Sequence, residues 1–117
     1  MNWLIVFLGG GIGSMLRFGI GKMIPFKELS FPWSTFFSNF LACLIFAFAL
    51  IVIQKSPKND WIQPFVLVGI CGGFSTFSTF SFENYQLFQT GNYGILLLNI
   101  FVSLILGFGT FWVVKLF

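Results

Sequence analysis

The chain has 117 residues, of which 57% are hydrophobic and 8% charged, with a formal net charge of +3 and a mean hydropathy of +0.95. A soluble domain of this size could not bury so much apolar surface, so the composition describes an integral membrane protein with almost nothing outside the bilayer. With no histidine, three acids and two separated cysteines, Cys43 and Cys71, it offers no metal cluster and no nucleophile–base set, which argues against an enzyme; its six basic residues read as loop charge, with no nucleic-acid footprint.

A spanning helix needs about 20 residues, and the chain accommodates four as a single membrane domain over 1–117. The first is expected over 3–23. Gly9, Gly13, Arg17 and Gly21 recur every four residues there, so they share one helix face on which a second helix can approach closely. A short loop with Pro25, Lys27, Glu28 and Pro32 leads to a second span over 33–53, on which Thr35, Asn39 and Cys43 share a face. After the polar loop at 54–60, the third segment, 61–88, is too long for one straight span. It contains Gly72-Gly73-Phe74-Ser75-Thr76-Phe77-Ser78-Thr79-Phe80, and the glycine pair is the expected break point. The fourth span, 95–117, carries Asn99, Ser103, Gly107 and Thr110 on one polar face. Trp3, Trp33, Trp61 and Trp112 all fall near span ends, where indole rings suit the membrane interface.

Charge gives no preferred orientation. Arg17, Lys22 and Lys27 lie toward one side, and Lys55, Lys58 and Lys115 toward the other. Such a tie fits either a weakly biased protein oriented by another signal or copies inserted both ways and paired antiparallel.

Several polar groups lie at membrane depth. Asn39 can bridge helices, or offer two N–H donors to an anion without a fixed charge. The hydroxyls of Ser75, Thr76, Ser78 and Thr79 follow the glycine pair. A broken helix there would free carbonyls for a small cation and hydroxyls for an anion. Phe77 and Phe80 share a helix face and serve either packing or, through their positive ring edges, an anion path. Arg17 either snorkels to an interface or provides a positive vestibule. Glu83 can pair with a cation, cap a half-helix or reach the interface.

Taken together these residues resemble the Fluc (CrcB) fluoride channels. Gly9-Gly10-Gly11-Ile12-Gly13-Ser14-Met15-Leu16-Arg17 is similar to the family's first-span signature, and Thr35-Phe36-Phe37-Ser38-Asn39 to its second-span asparagine motif. Gly69 through Phe80 and on to Glu83 is similar to its third-span signature, while the fourth span matches in spacing only. The resemblance implies an all-α membrane protein with four transmembrane helices, the third broken, in an antiparallel dual-topology homodimer in the cell membrane. It implies passive, fluoride-selective export that prevents fluoride toxicity. The implied pore residues are Asn39, Phe77, Phe80, Ser78, Thr79, Asn99 and Ser103, with Arg17 in the vestibule. A structural Na⁺ at the dimer centre would rest on the backbone carbonyls of Gly72 and Ser75 from both subunits. Asn99 departs from the tyrosine that usually opens the fourth-span track, Gly107 stands where a hydroxyl often lies, and Ser75 replaces a threonine. Two other functions compete. A small proton-coupled multidrug exporter would need an intramembrane acid, which the first span lacks. A non-transporting scaffold subunit would leave the polar residues of three spans without shared purpose.

Overall fold

The structure is a computed structural model and describes residues 2–25 and 30–117; Lys27 and Glu28 of the expected first loop lie outside the described residues. Four helical stretches are long and apolar enough to cross a membrane. The first is α1, Asn2–Met23, and the second α2, Trp33–Lys55. The third comprises a π-helical segment, Gln63–Ile70, which runs into α3, Cys71–Phe74, followed after two residues by α4, Phe77–Gln89. The fourth is α5, Tyr93–Thr110, continued past Phe111 by α6, Trp112–Leu116.

Glycine decides how the first and third spans pack. A Cβ on Gly9 would strike the Phe65 carbonyl oxygen, one on Gly13 the Ile70 carbonyl oxygen, and one on Gly73 the Gly10 carbonyl oxygen. From the opposite side, a Cβ on Gly69 would lie 2.9 Å from the Gly9 Cα. The two backbones thus touch without side chains between them, as small residues allow in a membrane where lipid gives no hydrophobic drive to associate. The second and fourth spans pack on each other, and α4 rests on α5. Small residues again fill the buried face of α2, where Ala42, Ala47 and Ala49 are all sealed from solvent.

The sequence places the interruption of the third span at Gly72-Gly73. In the structure both glycines and Phe74 are helical, and the extended residues are Ser75 (ψ 153°) and Thr76 (φ −148°, ψ 114°). The reason is visible in the packing: Gly73 is required for its contact with α1, whereas the conformational change is driven by side-chain caps further on. The four tryptophans are all exposed, as residues at a lipid interface should be.

Candidate functional site

The extended pair between α3 and α4 redistributes backbone hydrogen bonds. In an uninterrupted helix Thr76 N–H would donate to the Gly72 carbonyl. Here it donates to Asn39 Oδ1 at 2.8 Å. Thr79 N–H, which would serve the Ser75 carbonyl, instead donates to Thr76 Oγ1 at 3.2 Å, making Thr76 the N-cap of α4. The Gly72 and Ser75 carbonyls thereby lose their helical donors, and both residues are exposed on the single chain. On the other side of the pair, the N–H groups of Phe77 and Ser78 open α4 with no carbonyl four residues back to receive them in helical geometry. Arg17 Nε donates to the Gly73 carbonyl at 3.2 Å, which ties the first span to the end of α3.

Two cavities flank this pair. The larger, of 520 Å³, is lined by Arg17, Lys22, Thr35, Ser38, Thr79 and Glu83 among others. The smaller, of 280 Å³, is an open groove lined by Asn39, Cys43, Ser75, Phe77, Phe80 and Ser103, with Leu104 at one edge. Thr76 lines both. Asn39 lines the groove and is bonded to the N–H of Thr76, and its Nδ2 hydrogens are not consumed by that bond.

The anticipated site residues separate into those on this path and those behind it. Phe77 and Phe80 share the groove with ring centroids 6.4 Å apart and planes tilted by 38°. Ser78 is exposed and lines neither cavity; its hydroxyl lies 3.3 Å from that of Thr76. The Ser75 hydroxyl donates back to the Cys71 carbonyl at 2.8 Å, which removes it as a donor to the groove. Ser103 lines the groove, but Asn99 is only 1% exposed and stands behind it, accepting from Ser103 Oγ at 3.2 Å. Glu83 is buried at 9% exposure and lines the larger cavity; Thr35 Oγ1 donates to its Oε2 at 2.9 Å, while its Oε1 and the hydroxyl of Ser38 are buried without a hydrogen-bond partner among the described residues.

Asn84 belongs with these residues although the sequence reading passes over it. It accepts from Asn99 Nδ2 at 2.7 Å, linking α4 to α5. Its position four residues after Phe80 puts it on the same helical face, and that spacing is the signal that would have found it.

The sequence profile of the family described as "CrcB-like protein, Camphor Resistance (CrcB)" matches residues 4–114, nearly the whole chain. The chain belongs to the CrcB family. Its relatives include proteins named fluoride-specific ion channel FluC. That of Azobacteroides pseudotrichonymphae is 45% identical over 108 residues, covering 88% of this chain and 84% of the relative. One from Thermus thermophilus is 40% identical over 107 residues, covering 91% and 86%. One from Helicobacter pylori is 38% identical over 98 residues, covering 80% and 75%. In this CrcB family member the aligned stretch takes in both cavities and the extended pair between α3 and α4.

Proposed function

We propose that the chain is a passive fluoride channel of the cell membrane, working as an antiparallel homodimer whose third span acts as two half-helices and whose export of fluoride protects the cell. Membership of a family with relatives named fluoride-specific ion channels supports the ion. The observation that carries the mechanism is the amide of Asn39 in the groove, its oxygen fixed by the N–H of Thr76, the residue that borders both cavities, and its NH₂ left to donate.

Fluoride is small and strongly hydrated, so a pore must replace its water with close donors while holding it weakly enough for release. Arg17 and Lys22 supply positive charge at the wide cavity, partly opposed there by Glu83. Past them the donors are neutral: the Thr79 hydroxyl, the Asn39 amide, the N-terminus of α4 and the ring edges of Phe77 and Phe80. The groove is open along one side of the single chain, where Phe77 is 81% exposed, so a second copy would close it.

The freed carbonyls of Gly72 and Ser75 fit a structural sodium ion. No group of three or more His, Cys, Asp or Glu side chains that could hold a metal occurs among the described residues, so the oxygens would have to come from the backbone. Both carbonyls lack helical donors and belong to exposed residues, so another copy could complete the set. When bound, the ion would contribute a fixed positive charge beside the paths and hold the two copies together. Full flux after exhaustive sodium replacement would remove this assignment.

Fluoride-electrode efflux from proteoliposomes, with chloride as comparison, tests the function. Asn39→Asp keeps an oxygen for Thr76 N–H but deletes the donating NH₂, and fluoride efflux is expected to fall about tenfold or more, the factor that about 1.4 kcal/mol produces. Wild-type flux in this variant would overturn the role of Asn39. Proton-driven movement of a lipophilic cation with no fluoride efflux would instead assign the chain to multidrug export.

A further inference from the structure

Asn99 is sealed at 1% exposure, yet it is tied at both ends. Ser103 Oγ donates to its Oδ1 at 3.2 Å, and its Nδ2 donates to Asn84 Oδ1 at 2.7 Å. The three side chains form a directional chain that starts at the groove and passes through the sealed Asn99: Ser103 to Asn99 to the partly buried Asn84. In this sense the single hydroxyl hydrogen of Ser103 is spent on Asn99, and only its lone pairs remain for the groove that Ser103 lines. An anion in the groove needs the opposite arrangement.

A carboxamide presents oxygen and NH₂ with nearly the same shape. If the amides of Asn84 and Asn99 each turn by half a rotation, Asn84 Nδ2 donates to Asn99 Oδ1, and Asn99 Nδ2 donates to Ser103 Oγ. Both contacts survive, and the Ser103 hydrogen is released toward the groove. Asn99 alone could not do this, because turning it without Asn84 would set its oxygen against the Asn84 oxygen and leave a buried polar atom unpartnered, with its full desolvation penalty. We infer that the Asn84–Asn99 amide pair is a reversible relay that sets whether Ser103 offers its hydrogen or its lone pairs to the groove. This inference rests on the reading of the groove as an anion path. Asn84 and Asn99 are positioning residues that act through Ser103, and neither lines the groove. The relay lets an entering anion gain a donor, and a departing one surrender it, with no net loss of buried hydrogen bonds.

A carboxylate accepts and cannot donate, so it locks the chain in one sense. In Asn84→Asp, Asn99 must donate to residue 84 and turn its oxygen to Ser103, whose hydrogen is then held permanently away from the groove. Fluoride efflux from proteoliposomes is expected to fall about tenfold or more at neutral pH. The same substitution introduced into Ser103→Ala, where there is no hydrogen to withhold, is expected to change the flux of that variant by less than about twofold. The added negative charge acting by itself would lower flux by the same factor in both backgrounds, and that equality would overturn the relay, as would wild-type flux in Asn84→Asp. Asn99→Asp, whose carboxylate accepts from both neighbours, locks Ser103 in the same way and carries the same paired comparison if Asn84→Asp fails to assemble. A wild-type protein that assembles but passes no fluoride would overturn the channel reading itself, an outcome separate from any difference between these variants.

Discussion

Phe77 and Phe80 border the same groove in different surroundings, the first 81% exposed and the second half-buried. Packing therefore explains little of Phe77 within one chain, while Phe80 has contacts that an aliphatic residue could supply. Phe80→Ile separates the two roles, because it keeps an apolar side chain but removes the ring edge. Fluoride efflux is expected to fall about tenfold or more in this variant while its elution on size exclusion stays that of the unaltered protein; unchanged efflux would leave Phe80 as packing. The residues that create the site were readable to different depths. Asn39 stood out because an uncharged amide at membrane depth needs a partner, and the partner proved to be a backbone N–H. The occupied states of the hydroxyls were not readable: Ser75 bonds back to its own helix and Thr76 caps the next one, and such local choices depend on dihedral angles that spacing does not encode.

At the scale of elements, the glycine stripe of α1 was legible as a close-approach face, and the structure supplies its partner, the π-helical segment with α3. The π-helical winding at Gln63–Ile70 had no signal in the hydrophobic pattern, since those eight residues are apolar on all sides save Gln63. Gly13→Ala tests the packing. Its Cβ would meet the Ile70 carbonyl oxygen and would come within 2.8 Å of Phe74 N, both backbone atoms that cannot swing aside. A loss of about 1–3 kcal/mol is expected, read as a lowered midpoint of thermal unfolding in detergent. Gly11→Ala, with nothing within 4 Å of its added Cβ, should leave the midpoint unchanged. The four apolar helical stretches end within about two residues of the expected limits, whereas the extended pair lies three residues past the expected glycine pair because capping, and not glycine content, determines where α4 begins.

For the whole molecule, the even division of basic charge carries the prediction. If copies insert both ways, a single cysteine placed at Asn59, in the exposed loop after α2, should be labelled to about half by an impermeant thiol reagent added outside intact cells in a background with Cys43 and Cys71 replaced, since charge favours neither side. Complete labelling, or none, would establish a single orientation. No composition or spacing could have settled this point, because orientation is a property of the chain in its membrane.

The rearranged hydrogen bonds around Ser75 and Thr76 leave one short peptide with two poles. Spare carbonyl oxygens sit at Gly72 and Ser75, and uncommitted amide hydrogens follow at the start of α4. Ionisable side chains could create such poles too, but they would gain or lose protons as the surroundings acidify. Peptide dipoles hold no titratable proton. The field they set up would therefore be the same at acid pH as at neutral pH, so a path built on it would hold its polarity across that range.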